Sequence, residues 1–408
     1  MRIDQQRVPE RTDATLARGQ LWLLSTACGL AVATIYYNQP LLAAIAQGLG
    51  LGPDRAGLFA MLTQIGYAAG LLLFVPLGDS GNRKRLLCTL LAFNGAALLA
   101  FALAPNAAWA LVASCAIGMS AVSAQIIIPA VASRVGEAGR GHAIGTLLSG
   151  LSAGLLFART LSAGVGGAFG WRAMFLLAAV LDALTVGIVL WAVSPNRPRA
   201  GLSYPRLLAS LWTLFRREPR LRNACYSGFC FFAAFSTLWG SLSLLLARPP
   251  FLLSVQAIGL FGLVGFAGLL VSPALGRRVD ERGAMPVLLA GMTLVLLAFV
   301  LIGVVPGRLP VLVAAMVLID VGNRAGMVAN QQRIYAIDPG ARSRLNTLFM
   351  VFYFLGGAAG TAAGSVLSAR YGWIGLAGTG CAFIALCAAI HIAGRRGGRA
   401  VAGAAGTA

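Results

Sequence analysis

Four ionisable residues, Arg159, Asp182, Asp320 and Arg324, stand in stretches that are otherwise apolar. If those stretches cross a bilayer, such side chains are costly and must face a cavity or one another, which marks ion or substrate pathways. Asp320 and Arg324 are one helical turn apart, and Met327 and Gln331 continue the same face. A carboxyl beside a guanidinium in a low dielectric is pulled in opposite senses by the neighbouring charge and by desolvation, a competition that a proton-coupled carrier can use. Asp320 is then a proton-coupling acid with Arg324 and Arg159 as modulators, or else it forms a fixed pair that braces a helix. Arg159 and Asp182 are nearly equidistant from a Phe169-Gly170-Trp171 turn, so an antiparallel hairpin puts them at one depth. Two readings stand: a structural ion pair, in which losing one partner is costly, or an Arg159 that faces a cavity and holds an anionic group or tunes the proton site.

Tyr36, Tyr37, Asn38 and Gln39 precede Pro40. A proline inside a span frees backbone groups that must be satisfied within the protein. The tyrosines fit an interfacial aromatic belt, but Asn38 and Gln39 fit a substrate or gate surface better. Gln125, Asn330 and Gln331 extend that candidate surface, and with Gln64 they could equally bond neighbouring helices. Trp239 could stack on a substrate or serve as a core aromatic. His142 and His391 are each isolated in the sequence and read as interfacial side chains with no metal role. The seven cysteines lack metal-ligand spacing and read as small core residues, and Gly356, Gly357 and Gly360 as close packing between helices of one chain.

What must position these residues follows from composition. The chain has 408 residues, 58% hydrophobic and only 11% charged. A soluble domain carries about 25% charged residues, so this is a polytopic membrane protein. Apolar runs of about the 20 residues a crossing needs fall at about 21–46, 56–77, 86–104, 108–132, 143–168, 172–193, 222–246, 254–275, 284–305, 311–334, 345–368 and 373–393. The fold class is therefore an all-α membrane protein of twelve transmembrane helices. The first apolar run is too long for a cleaved signal peptide.

The net charge of +20 is explained by topology. Of the 32 basic residues, 25 lie on the side that carries both tails and the central loop, five lie opposite, and Arg159 and Arg324 lie inside spans. That asymmetry places both termini in the cytoplasm and removes the reason to invoke nucleic acid. The chain divides into a cytoplasmic tail (1–20), a six-helix bundle (21–193), a linker (194–221), a second bundle (222–393) and a disordered tail (394–408). In the linker, Leu207, Leu208, Leu211, Trp212 and Phe215 recur at helical spacing beside Arg206, Arg216 and Arg217, the pattern of an amphipathic interfacial helix.

Landmarks in the first half recur about 200 positions later: Phe169-Gly170-Trp171 as Tyr371-Gly372-Trp373, and Asp79 as Asp280. Two pseudo-symmetric bundles of this kind enclose a central cavity. The loops that hold those acids, PLGDSGNRKRLL and PALGRRVDERG, resemble the cytoplasmic signature of the major facilitator superfamily, G-x-x-x-D-x-x-G-R-[KR]. The second keeps Gly276, Asp280 and Gly283; the first has Val75 and Asn82 at its glycine positions but keeps Asp79, Arg83 and Lys84. YYNQPLL, ARTLSAG, FGWRAMF and NQQRIYAIDPGARSRLNT further resemble its bacterial proton-linked efflux permeases. The resemblance implies that Asp79, Arg83, Lys84, Asp280 and Arg282 form a cytoplasmic gate between the halves, and that spans 1, 4, 7 and 10 line the cavity.

The sequence thus reads as a secondary active transporter of the bacterial inner membrane, exporting a small organic or drug-like compound in exchange for protons by alternating access. It reads as a monomer, with the substrate, protons and the lipid bilayer as partners, and no cofactor or metal. The Gly-rich stretches lack G-x-x-x-x-G-K-[ST], so ATP coupling has no support, and no cluster suggests an enzyme. Proton-linked uptake of a sugar or other metabolite is the alternative; a membrane sensor on the same fold would call for longer soluble extensions.

Overall fold

The computed structural model describes residues 18–132, 134–135, 137–193, 204–338 and 341–405, and for residues 79, 80, 137, 138 and 395–405 the backbone alone. The readings for most of the N-terminal tail, the start of the linker and the side chain of Asp79 therefore lie outside the described residues. Among the described residues the regular elements are all helical.

The first half comprises α1 (Arg18–Ala33), a 3-10 turn (Gln39–Leu41), α2 (Leu42–Gly48), a second 3-10 turn (Pro53–Arg55), α3 (Gly57–Phe74), α4 (Leu77–Ser80), α5 (Arg83–Ala102), α6 (Ala107–Ser120), α7 (Ser123–Ala132), α8 (Glu137–Phe169) and α9 (Trp171–Ala192). α10 (Tyr204–Arg217) connects it to α11 (Pro219–Leu246), α12 (Val255–Leu260), a 3-10 segment (Phe261–Gly265), α13 (Phe266–Arg282), α14 (Ala284–Val304), α15 (Leu309–Tyr335) and α16 (Arg342–Ala405).

Among the described residues, ten helical stretches are long and apolar enough to cross a membrane. One, Arg342–Gly394, has 53 residues, far more than the ~20 of one crossing, and Gly372 breaks it with φ 58° and ψ −138°. That left-handed φ suits glycine, which lacks a Cβ. The first apolar run, expected as one span, is interrupted between α1 and α2, because Pro40 has no N–H to continue an α-helix. The tail expected to be disordered from residue 394 instead continues α16 to Ala405; it holds no proline to stop the helix.

The halves share one pairing scheme. In the first, α3 packs on α6, α1 on α8 and α5 on α9; in the second, α13 packs on α15, α11 on α16 and α14 on α16. The halves meet through α3 against α16, and through α8 against α12 and the 3-10 segment after it. Glycines permit both seams. A methyl at Gly57 would strike Ser365, one at Gly259 would strike Ala163, and one at Gly262 would press on Arg159. These contacts lie toward the end of the molecule that holds Gly50, Gly170 and Gly372, opposite the linker. Along α8 they run from Gly167 on Gln256 to Leu156 by Gly265, about 16 Å at 1.5 Å per residue, which is half a bilayer core.

The linker helix is amphipathic as expected, but it packs on protein as well as facing outward. Tyr204 donates to the carbonyl of Leu73, 2.9 Å away, and Phe215 stacks on Phe352 at 4.9 Å. Leu207 and Leu211 line a gap with Val75 and Pro76 of the first half and Ser343 and Thr347 of the second, so α10 touches both bundles. Trp212, on the same apolar face in the sequence, is exposed.

Candidate functional site

The break in span 1 builds one wall of the site. Tyr36, Tyr37, Asn38 and Gln39 are all buried, which excludes the interfacial-belt reading for the two tyrosines. A backbone carbonyl freed by the turn finds its partner inside the protein, where Ser162 of α8 donates to the carbonyl of Tyr37 at 2.5 Å, and the Asn38 side chain donates to the Thr63 hydroxyl of α3 at 3.1 Å.

Arg159, on α8, is 2% exposed. Its Nε donates to Oε1 of Gln39 at 2.8 Å, and its guanidinium lies 4.0 Å from the centre of the Trp239 ring and 4.8 Å from that of Tyr36. Nη2 of Arg159 has no hydrogen-bond partner. With Gln39, Pro40, Trp239, Leu242, Ser243 and Ile258 it lines a narrow crevice between the halves.

The expected Arg159–Asp182 ion pair is absent. Asp182 is buried on α9, near the backbone of Gly95 on α5, and its Oδ2 has no partner. Equal depth in a hairpin does not give equal direction: Arg159 points across to the second half, whereas Asp182 points into its own bundle.

Asp320, on α15, accepts a hydrogen bond from the backbone N–H of Gly268 at the start of α13, 3.1 Å away. A methyl at Gly268 would collide with that carboxylate, so the approach needs glycine. Asp320, Arg324 and Arg159 lie close enough for their charges to act on one another across the interface, with the neutral phenols of Tyr36 and Tyr353 among them. The structure thus brings Asp320 and Arg324 of α15 together with Arg159 of α8, and leaves Asp182 outside the group.

Sequence reading missed the aromatic and amide floor around them. Asn323 and Tyr353 exchange hydrogen bonds at 3.0 and 3.2 Å, Tyr353 stacks on Phe232 at 4.0 Å, and Tyr67 meets Phe354 across the halves at 4.3 Å. Gln64 donates to Thr361 across the same seam at 3.1 Å. A signal existed in the polar hydroxyls and amides within spans, but their partners come from distant parts of the chain.

Other candidates join helices. Asn330 is fully buried and donates to Ser227 of α11 at 3.1 Å, while Gln331 donates to Asn346 at 3.3 Å. Gln125 donates to Tyr67 at 3.5 Å. His391, expected at an interface, is buried and bonds Ser227 at 3.0 Å, because α16 carries it back against α11. All seven cysteines are free.

The gate motifs make their described bonds within their own halves. Arg83 donates to the carbonyl of Gly78 at 2.8 Å and Lys84 to that of Leu190 at 2.5 Å. Asp280 accepts from Gln332 at 3.0 Å, and Arg282 ends α13 before Gly283, whose φ is 81°.

Two helical bundles with apolar exteriors and a polar, charged seam define a multi-pass membrane transporter. The chain belongs to the major facilitator superfamily, whose family model matches residues 22–334. It is 38% identical to the putative uncharacterized transporter YgaY of Escherichia coli, over 89% of this chain and 93% of that one. It is 35% identical to a probable transporter of Streptomyces coelicolor, over 91% and 86%. In fold it is similar to a bacterial homologue of the human lysosomal transporter Spinster in an inward-facing, occupied conformation, with a TM-score of 0.73 and 15% identity over 92% and 96% of the two chains. It is a transporter and not an enzyme.

Proposed function

We propose that the chain exports a small organic compound across the bacterial inner membrane in exchange for protons, crossing the bilayer twelve times with both termini in the cytoplasm and working as a monomer. Twelve crossings follow if Arg18–Gly48 counts as one and α16 as two, divided at Gly372. The observation that carries the reading is the place of Asp320 and Arg159 at the inner limit of a seam that joins the halves on the side opposite the linker. A compound entering from the linker side reaches these charges and goes no further until α3 parts from α16 and α8 from α12. Parting exposes Asp320 to the other compartment, where the ionised carboxylate takes up a proton as the compound leaves.

Transport in proteoliposomes across a compound panel under an imposed pH gradient tests this, with Asp320→Asn alongside the wild type. The variant loses gradient-driven movement and keeps exchange. Normal pumping by Asp320→Asn removes the proton role, and the absence of any solute flux in the wild type removes transport itself.

A further inference from the structure

The charges in the central seam do not balance. Arg159 and Arg324 bring two positive charges and Asp320 one negative, while Asp182 faces α5. No carboxylate among the described residues lies within 4.0 Å of Arg159. Arginine stays protonated in proteins, so burial does not discharge it. A buried cation that shares its one nearby carboxylate, Asp320, with a second arginine is expensive, and two aromatic faces, the Gln39 amide oxygen and the Leu155 carbonyl at 3.5 Å offset only part of that cost. Nη2 of Arg159 retains donor capacity and no acceptor.

Arg159 is also held as a recognition group is held. Gln39 fixes Nε and so sets the plane of the guanidinium. Trp239 and Tyr36 come from opposite halves of the chain, and Gly262 leaves room for its side-chain stem. A planar fork of donors with one nitrogen committed and another free is suited to a carboxylate, sulfonate or phosphonate oxygen. The walls beside it, Pro40, Leu242 and Ile258, are apolar, but the crevice between them is closed down to about 10 Å³, the space of about one water, so an apolar or aromatic body enters only as the halves part.

Resting on the transport reading above, we propose that the compound carried is an organic anion, its acidic group bound by Arg159 and its flat apolar body placed against Trp239 and Tyr36. The anion supplies the counter-charge that the seam lacks.

The test uses the full-length protein in detergent and four probes of one shape: 2-naphthoate, 2-naphthalenesulfonate, neutral 2-naphthamide and cationic 2-naphthylmethylammonium. Binding is read as ligand-dependent thermal stabilisation. The two anions stabilise the wild type, and the amide and ammonium bind at least about tenfold more weakly, the scale of one charge-assisted hydrogen bond. Arg159→Gln lowers anion affinity by a similar factor, and Arg159→Lys restores part of it. The wild-type comparison stands even if Arg159→Gln fails to fold. Equal binding of the ammonium or amide, no binding of either anion, or anion affinity within twofold of wild type in a folded Arg159→Gln each overturns the proposal. Anion binding without flux in vesicles would sink the transport reading and leave the anion site standing; flux of the ammonium without anion binding would do the reverse.

Discussion

The guanidinium of Arg159, from the first half of the chain, lies 4.0 Å from the ring centre of Trp239, from the second, while Gln39 of the broken first span holds its Nε at 2.8 Å. Three helices that the sequence separates widely converge on one cation. The same cation takes part in the seam that closes one end of the molecule, so the proposed ligand recognition would share one side chain with closure. A cation over an indole contributes about 0.5–2 kcal/mol, enough to bias two arrangements of the halves without locking either.

Asp182 should be energetically independent of Arg159, because it packs near Gly95 rather than beside the guanidinium. A double-mutant cycle with Asp182→Asn and Arg159→Gln, read by thermal unfolding, should give a coupling below about 0.5 kcal/mol, as for separated sites. A coupling of several kcal/mol would restore the buried pair that the hairpin suggested.

Gly268 should behave as part of the Asp320 site. A methyl there collides with the carboxylate, and overpacking of this kind costs about 1–3 kcal/mol. Gly268→Ala should reduce gradient-driven flux by about tenfold or more, since 1.4 kcal/mol is one such factor, with membrane abundance preserved. Added to Asp320→Asn, it should cause little further loss of that flux. Additive losses would show that Gly268 acts elsewhere.

Closure should depend on the α8–α12 seam. Gly259→Val drives a side chain into Ala163, whereas Gly164→Val, on α8, meets open space. Vesicle flux should fall by about tenfold or more for the first, on the same scale of overpacking, and stay within about twofold for the second. Equal effects would mean that helix propensity, and not the seam, governs the loss.

The Asn330 network should matter for stability and not for selectivity. Asn330 bonds Ser227, which also meets His391, and accepts from Arg333 at 2.9 Å. Asn330→Leu strands those polar groups in the core, each at about 1–3 kcal/mol. The melting temperature should drop while the order of preference among transported compounds stays unchanged; a changed order would place Asn330 at the substrate.

Much of the architecture was legible in the sequence because a bilayer imposes a simple code: apolar runs of fixed minimum length, and a repeat that pairs Phe169-Gly170-Trp171 with Tyr371-Gly372-Trp373. Pro40 flagged a buried polar turn, and Asp320, Arg324 and Arg159 stood out because ionisable groups are rare in lipid. Direction was not legible. A helical position near the middle of a span has a depth but no stated neighbour, so Arg159 could be matched in depth to Asp182 yet not in azimuth. Gly268 as the partner of Asp320, Trp239 as the partner of Arg159, and His391 as a buried residue on Ser227 all arise from contacts between chain segments far apart in sequence. Hydrophobic length and charge asymmetry are local sums that one strand of text contains, whereas which polar groups share a seam depends on how twelve predicted spans rotate and pack, and that is settled only when the glycines let particular helix faces close.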